Sequence, residues 1–263
     1  MSELLAPAKI NLALVVGATR PDGRHEVATV LQRISLADRV ALEQADGLQV
    51  EGFAEDTLVR RALEELAAAV GTPAGWRVTI EKQIPVAAGF GGGSSDAAAA
   101  LRLANWTLRR PLNDRALRKL GARLGADIPF FLTTGPQLGE GDGTALTPIE
   151  LPQDYRILLL LPHGTDKSST GAVYDAYAGE QGFDERRAAL LQALALGDLG
   201  ALPPNDLAFS PFTDELRDLG AFRADVSGAG PGVYGLFREQ EEALAAHGAL
   251  AAHGRAWMAA PAW

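Results

Sequence analysis

Four glycines fall within five residues in the segment Ile84–Asn105, which reads IPVAAGFGGGSSDAAAALRLAN. A strand-like alternation at Trp76–Ile80 precedes the segment, and an alanine-rich pattern of helical spacing closes it. Glycine at this density costs backbone entropy, so the chain must gain something from it directly before a helix. One interpretation is a flexible turn capped by Ser95. The other, which we favour, is an anion site, because a helix N-terminus presents unsatisfied N–H groups and a positive dipole end. Ser94 and Ser95 then add hydroxyl donors, cap the helix and can contact a magnesium ion.

The well-known phosphate-binding loops do not match this segment. The P-loop requires a Gly-Lys pair, which the chain lacks, and the dinucleotide motif GxGxxG fails because Ser94 occupies its sixth position. The HRD and DFG motifs of protein kinases are also missing. The sequence therefore predicts a different kind of phosphate-binding loop.

Three further segments carry residues that could contribute chemistry. In APAKINLAL, Lys9 and Asn11 lie two residues apart on a predicted strand and so share a face, which favours a lysine aimed into a cleft over a surface lysine. In LGADIPFFL, Asp127 is either a turn or N-cap residue or a half-buried carboxylate that can deprotonate a hydroxyl. In Val226–Phe237, VSGAGPGVYGLF, a second glycine cluster indicates close backbone approach to a ligand or to the first loop, unless it is a plain hairpin.

Composition excludes several classes of protein. The formal net charge of the 263 residues is −9, which argues against non-specific binding to nucleic acid. No cysteine is present, and the four histidines lack the spacing of a metal motif, so we expect no disulfide and no protein-held metal. No apolar run approaches the roughly 18 residues of a membrane span, and the N-terminus does not resemble a signal peptide. We therefore expect a soluble cytoplasmic protein without a membrane partner.

The pattern of strands and helices predicts an α+β protein of two domains. Val27–Ile34 and Arg39–Glu43 are each predicted as a strand, and the spacing of apolar residues in Leu58–Val70 predicts a helix. Strands and helices are thus mixed up to about residue 150. From Leu151, a β-α-α-β-α order that begins with the apolar, buried strand Arg156–Leu161 indicates a small α+β sandwich. We place the domains at residues 1–150 and 151–263. The alanine-rich tail after Arg255 is expected to be poorly ordered.

Together these segments resemble the GHMP kinase superfamily. The motif PAKxNLxLxVxxxRxDGxHxxxT is matched from Pro7 to Thr29, GxGGGSSDAA from Gly89 to Ala98, LGAD[IV]PFFL from Leu124 to Leu132, and an SGxGxxV-type loop from Ser227 to Val233. Within the superfamily the chain is similar to the branch that phosphorylates diphosphocytidyl methylerythritol in non-mevalonate isoprenoid biosynthesis. The GEH-like motif of the mevalonate and galactose branches is replaced here by Asn11-Leu12-Ala13.

The resemblance implies a GHMP kinase fold, with an N-terminal ribosomal-S5-like domain that binds ATP and a C-terminal ferredoxin-like α/β sandwich. It implies phosphoryl transfer from ATP, with Mg²⁺, to the 2-hydroxyl of the erythritol part, in a monomer or weak homodimer. Lys9 and Asp127 align with the catalytic pair, so that Asp127 would accept the hydroxyl proton and Lys9 would offset developing charge. The residues expected around the ATP phosphates are Pro85, Val86, Ala87, Ala88, Gly89, Phe90, Gly91, Gly92, Gly93, Ser94 and Ser95. The residues expected to contact the substrate are Asn11, Arg24, His25 and Tyr174.

Some positions depart from the pattern of the superfamily branch. Arg24 replaces the usual tyrosine that stacks on cytosine, although a guanidinium can also stack on a base or pair with a diphosphate. Tyr174 aligns with an aromatic residue on the opposite side of that base. Two alternatives stay open, namely another small-molecule kinase of homoserine or mevalonate type and a non-catalytic nucleotide-binding module. The presence of both Lys9 and Asp127 weighs against the second alternative.

Overall fold

The computed structural model describes residues 1–53, 57–165, 170–177 and 182–263, which fall into two compact units. The first unit comprises Met1–Ala8, Leu36–Val86 and Gly91–Thr134, and the second comprises Lys9–Ser35, Ala87–Phe90 and Gly135–Trp263. The strands are β1 (Ser2–Thr19), β2 (His25–Gln44), β3 (Gln49–Glu51), β4 (Trp76–Glu81), β5 (Gln137–Gly141), β6 (Ala145–Pro148), β7 (Arg156–Pro162), β8 (Arg223–Val226), β9 (Val233–Phe237), β10 (Gly254–Ala259) and β11 (Pro261–Ala262). The helices are α1 (Thr57–Val70), α2 (Gly92–Thr107), α3 (Asp114–Leu124), α4 (Ile128–Phe131), α5 (Thr170–Asp175), α6 (Phe183–Leu196), α7 (Phe212–Asp218) and α8 (Gln240–Leu250), with a 3₁₀ turn at Leu199–Ala201.

The first unit packs helices beside a small sheet. β4 pairs in antiparallel register with the C-terminal part of β2 and in parallel register with β3. Trp76, Val78 and Ile80 alternate into the core on β4, as the period of two predicts. α2 is buried along most of its length and packs against α1, and its alanines allow the two helices to approach closely. The predicted helix after the glycine-rich segment is therefore confirmed as a core helix.

The second unit contains two sets of paired strands. The N-terminal part of β2 pairs with β5, β5 pairs with β6, and β11 pairs with the middle of β2. The other sheet has the order β10-β7-β9-β8 with antiparallel neighbours throughout. The apolar run of β7 is buried, as its sequence predicts, and Leu158 and Leu160 belong to a core that includes residues of α7 and α8. None of the helices in the described part of the chain combines the length and apolarity that a membrane-spanning helix needs.

The expectation that the tail after Arg255 is poorly ordered is wrong. Residues of this segment form β10, which pairs with β7 from Gly254, opposite Pro162, to Ala259, opposite Ile157. A Cβ atom on Gly254 would lie 2.2 Å from the Leu161 carbonyl oxygen, so the strand begins with a close backbone contact that only glycine permits. The tail is ordered by main-chain pairing with β7, and main-chain pairing leaves no periodic signal in an alanine-rich sequence.

Candidate active site

Lys9 and Asn11 form a buried polar pair on β1. Their exposed fractions are 4% and 5%, and Lys9 Nζ donates to Asn11 Oδ1 at 2.5 Å. The backbone N–H of Lys9 donates to Phe90 O at 3.0 Å, which ties the strand to the glycine-rich segment. At 4% exposure Lys9 is not a surface residue, and its contact with Asn11 supplies the polar partner that a buried lysine needs. The two side chains share a face, as their spacing of two predicts.

The second glycine cluster contacts the first one through the backbone. Gly232 N donates to Ala88 O at 2.9 Å, and Ser227 Oγ donates to Gly89 O at 2.9 Å while accepting from Asn11 N at 3.2 Å. A Cβ atom on Gly89 would lie 2.1 Å from Ser227 O, and one on Gly232 would lie 2.3 Å from Ala88 O. Of the two predicted explanations for the cluster, close approach to a ligand or to the first loop, these contacts support the second.

Gly228 brings the same cluster next to the lysine. A Cβ atom on Gly228 would lie 3.3 Å from Lys9 Nζ and 3.4 Å from Asn11 Oδ1. The Gly228 carbonyl accepts from Asn205 Nδ2 at 2.7 Å, and the next residue, Asp206, accepts from Val16 N at 2.8 Å. The sequence alone does not single out Asn205 and Asp206, and their only signal is an adjacent polar pair that follows two prolines.

The N-terminus of α2 is open to an anion. The helix begins at Gly92 after Gly91, whose φ of 73° is left-handed, and no side chain caps it. Among the residues that the structure describes, no atom lies within 4 Å of a Cβ position on Gly93, so these residues leave space above the first turn. The prediction that Ser94 and Ser95 cap the helix is wrong, because both lie inside the first turn and Ser95 Oγ donates to Pro7 O at 2.7 Å. The N–H groups of this turn therefore remain available to an anion.

An ion-pair network underlies the loop that leads to α2. Lys82 Nζ lies 2.5 Å from Asp38 Oδ2 and 2.7 Å from Asp96 Oδ2, and both aspartates are fully buried. Asp38 Oδ1 also accepts from Gln83 N at 2.5 Å and from Ile84 N at 2.8 Å, which fixes the exit from β4. Burial acts to lower the pKa of Lys82, but the charges and hydrogen bonds of Asp96 and Asp38 outweigh it, and the pKa is raised.

The two aspartates of this network are poor candidates for a metal site, because Lys82 already neutralises part of their charge. Across residues 1–53, 57–165, 170–177 and 182–263, no group of three or more His, Cys, Asp or Glu is arranged to hold a metal ion. The donors that fit a magnesium ion at the start of α2 are the serine hydroxyls. This donor set suits an ion that arrives with phosphate oxygens as its main ligands.

Asp127 precedes the short helix α4 in the first unit. It occupies the N-cap position, but its carboxylate makes no capping hydrogen bond to the helix. The side chain is half-buried, and the helix that follows, IPFF, is fully buried. Capping of α4 therefore does not account for this carboxylate, and the functional interpretation of the residue stays a prediction.

His25 and Tyr174, both expected to contact the substrate, lie close together. Their ring centroids are 5.8 Å apart, and the Tyr177 ring packs edge-to-face against His25 with a centroid distance of 5.9 Å. His25 Nδ1 is 2.9 Å from Gly17 O, and since a carbonyl only accepts, Nδ1 carries a proton. In the neutral ring Nε2 is then an acceptor. Tyr177, whose hydroxyl donates to Val16 O at 3.0 Å, is an aromatic neighbour that the sequence alone does not identify.

Arg24 has a partner of its own. Its Nη1 lies 2.5 Å from Asp142 Oδ2, in the turn between β5 and β6, and its side chain is half-exposed. Partial burial acts to raise the pKa of Asp142, but hydrogen bonds from Thr144 and Arg24 outweigh it, and the pKa is lowered. The guanidinium has further N–H donors, so it can bind a diphosphate while it keeps this contact.

Comparison with known proteins identifies close relatives. Two family models match, GHMP kinases N terminal domain at residues 57–135 and GHMP kinases C terminal at residues 188–256. A protein of Syntrophus aciditrophicus (strain SB) named 4-diphosphocytidyl-2-C-methyl-D-erythritol kinase is 34% identical, with 97% of this chain and 96% of the relative covered. A protein of the same name from Gloeobacter violaceus (strain ATCC 29082 / PCC 7421) is 38% identical over 94% of this chain and 89% of the relative. A crystal structure of 4-(cytidine 5'-diphospho)-2C-methyl-D-erythritol kinase superposes with a TM-score of 0.82 and 35% identity, covering 100% of both chains.

Proposed function

The chain belongs to the GHMP kinases, in the branch of the 4-diphosphocytidyl-2-C-methyl-D-erythritol kinases, and on this premise we propose its reaction. It transfers a phosphoryl group from ATP to the 2-hydroxyl of 4-diphosphocytidyl-2-C-methyl-D-erythritol, a step of isoprenoid biosynthesis. The observation that carries the proposal is identity of 34% to 38% with two kinases of this name over nearly the full length of each chain.

The ATP side of the reaction is assigned to the segment Pro85–Ser95. Phosphoryl transfer depends on positioning and on neutralising negative charge. The uncapped N–H groups at Gly92, Gly93 and Ser94 and the helix dipole supply this for the phosphates. Mg²⁺, when bound with the nucleotide, would neutralise phosphate charge, and the hydroxyls of Ser94 and Ser95 are the side-chain groups that would hold it.

The acceptor side is assigned to Asp127 and Lys9. Asp127 takes the proton of the 2-hydroxyl, a role that suits a half-buried carboxylate. Lys9 binds the hydroxyl oxygen and offsets the charge that develops on it, and Asn11 orients the ammonium through its 2.5 Å contact. Because Lys9 is buried, its charge is little screened by solvent and acts strongly on the reacting group.

The nucleoside end of the substrate is assigned to His25, Tyr174 and Arg24. His25 Nε2 is an acceptor, which fits the exocyclic amino group of cytosine and not the carbonyl that uracil has in its place. Tyr174 offers a ring for stacking. Arg24 pairs with the diphosphate, for which its guanidinium has N–H donors besides the one that contacts Asp142. A uridine analogue of the substrate is therefore expected to react about 10- to 100-fold less efficiently, the effect of one unpaired buried hydrogen-bonding group.

A coupled ADP-release assay tests the proposal. Wild-type protein is offered 4-diphosphocytidyl-2-C-methyl-D-erythritol, its uridine analogue, homoserine and mevalonate, and ADP is expected with the first compound above all others. Lys9→Met and Asp127→Asn are expected to lose at least 100-fold in kcat, about 2.7 kcal/mol. The controls are Lys119→Met and Asp114→Asn, which change exposed residues of α3.

Each alternative has its own outcome in this assay. Turnover of homoserine or mevalonate alone would show that the protein is a kinase for that compound and not for the diphosphocytidyl substrate. ATP binding without turnover of any compound would indicate a non-catalytic nucleotide-binding module. Losses below about tenfold for both site variants, or 1.4 kcal/mol, would show the assigned roles to be wrong.

The proposal also includes the organisation of the protein. It places an ATP-binding domain at residues 1–150 and a second domain at 151–263, in a cytoplasmic monomer or weak homodimer. Limited proteolysis that cuts near residue 150 and light scattering at two protein concentrations test the boundary and the oligomeric state.

A further inference from the structure

A chain of hydrogen bonds leads from Lys9 to a threonine that the assigned site does not use. An ammonium group only donates, so the atom of Asn11 that faces Lys9 Nζ at 2.5 Å is its oxygen. The amide nitrogen of Asn11 then faces Thr29 Oγ1 at 2.8 Å, and since an NH₂ group only donates, the hydroxyl accepts there. Thr29 Oγ1 in turn donates its proton to Ala13 O at 2.8 Å. Each of these three bonds joins a donor to an acceptor, and only one orientation of the Asn11 amide satisfies all three.

We infer that Thr29 is a positioning residue for phosphoryl transfer. Its hydroxyl fixes the Asn11 amide with the oxygen towards Lys9, and the amide holds the ammonium in place. The inference rests on the proposed function, which assigns Lys9 to the acceptor hydroxyl. Thr29 is only 4% exposed and its hydroxyl is engaged on both sides, so it acts through Asn11 and does not bind the substrate itself.

Loss of the hydroxyl has a consequence that reaches the lysine. Without Thr29 Oγ1 the Asn11 Nδ2 group is buried against a methyl group, and a buried unsatisfied donor is costly. The amide can relieve this cost by rotating, and rotation takes Oδ1 away from Lys9 Nζ. Gly228 has no side chain that could hold the displaced groups in place, although a Cβ atom there would lie 3.3 Å from Lys9 Nζ and 3.4 Å from Asn11 Oδ1. A displacement of about 1 Å in a group that contacts the reacting atoms can cost on the order of 100-fold in rate.

Three threonine variants separate positioning from stability. Thr29→Val keeps the shape of the side chain and removes the hydroxyl, whereas Thr29→Ser keeps the hydroxyl. The control is Thr213→Val in α7, because Thr213 is also buried, at 5%, and donates to the Ser210 carbonyl at 2.7 Å. The readouts are kcat, the KM of each substrate, the melting temperature, and the orientation of Asn11 in a crystal structure of Thr29→Val.

The expected result is a fall of kcat by about 10- to 100-fold in Thr29→Val, with the KM for ATP unchanged and Asn11 rotated. Thr29→Ser is expected to restore kcat to within about threefold, and Thr213→Val to keep wild-type kcat per folded molecule. If Thr29→Val does not fold, Thr29→Ala removes the same hydroxyl and is held to the same outcomes.

Three results would overturn the inference: wild-type kcat in Thr29→Val, a Thr29→Ser enzyme as slow as Thr29→Val, or an Asn11 amide that keeps its oxygen on Lys9 without the hydroxyl. Failure of the proposed function is a different result, because wild-type protein would then release no ADP with the diphosphocytidyl substrate. In that case the crystal structure of Thr29→Val still decides whether Thr29 orients Asn11.

Discussion

Replacing Gly93 by alanine separates binding of the ATP phosphates from folding. Gly93 lies in the first turn of α2 and is exposed, and no atom of the described residues lies within 4 Å of its Cβ position. The methyl group therefore contacts none of these residues and occupies the space above the helix N-terminus, where the proposed function places a phosphate. Gly248 in α8 is the matched control, since it is also an exposed helical glycine with no atom within 4 Å of a Cβ position.

The two effects of Gly93→Ala have opposite signs. Alanine is favoured over glycine in a helix by up to about 1 kcal/mol, so both variants should be as stable as wild type or more so, with a melting temperature up to about 2–4 °C higher. A phosphate displaced by the methyl group loses at least one hydrogen bond to a charged group, worth about 1.5–3 kcal/mol. The Kd for ATP should therefore rise about 10- to 150-fold in Gly93→Ala and stay unchanged in Gly248→Ala.

Calorimetric titration with a non-hydrolysable ATP analogue measures the affinity, and thermal unfolding without nucleotide measures the stability. An unchanged Kd in a folded Gly93→Ala protein would refute the placement of the phosphate above this turn. A rise in Kd that Gly248→Ala shares would point to a general effect of the added methyl group and would refute it equally.

Three further substitutions test the framework of the site by urea unfolding. Gly89→Ala should lower the free energy of unfolding by at least about 2 kcal/mol more than Gly23→Ala. Both glycines have φ near +82°, but only at Gly89 would a Cβ meet a backbone oxygen, that of Ser227, at 2.1 Å. Equal losses in the two variants would show that the two glycine-rich loops separate easily. Lys82→Met should lower the free energy of unfolding by about 3–5 kcal/mol, since it removes the cation that pairs with the buried carboxylates of Asp38 and Asp96. A loss below about 1 kcal/mol would contradict the ion-pair network. Since the pKa of Lys82 is raised, its contribution is full below its unfolded pKa of about 10.4 and is lost as the pH rises through the folded value. Ala87 has a left-handed φ of 54°, which strains a residue that has a Cβ atom. Ala87→Gly should therefore raise the free energy of unfolding by about 1 kcal/mol. An unchanged urea midpoint would show that this backbone strain is absent.

The elements that the sequence predicts well are those with a strong periodic signal. The alternation at Trp76–Ile80, the buried run of β7 and the helical spacing of α1 all correspond to observed elements. Boundaries fail where a polar residue interrupts a strand. Val27–Ile34 and Arg39–Glu43 are predicted as separate strands but belong to one strand, β2. Asp38 lies between them, and its carboxylate accepts from Gln83 N and Ile84 N, a long-range pairing that the local pattern does not contain.

The residue types of the candidate site could be predicted from the sequence, but the separate structural role of each glycine could not. A glycine-rich segment before a helix indicates an anion site, yet its glycines serve different ends. Gly89 is required by the close approach of Ser227 O, Gly91 provides a left-handed residue before α2, and Gly93 leaves open space where a phosphate can bind. Each distinction depends on what lies opposite the residue, and for Gly89 that partner is more than a hundred residues away in the chain.

The same limit applies to the lysine, and it explains why Thr29 is not evident from the sequence. The spacing of Lys9 and Asn11 predicts a shared face on a strand, because that is a property of the strand alone. Which amide atom of Asn11 faces the lysine depends on a hydroxyl of another strand, 18 residues further on. Pattern analysis therefore identifies candidate groups for the site, whereas the residues that orient those groups are found only when donors and acceptors are matched one by one in the folded chain.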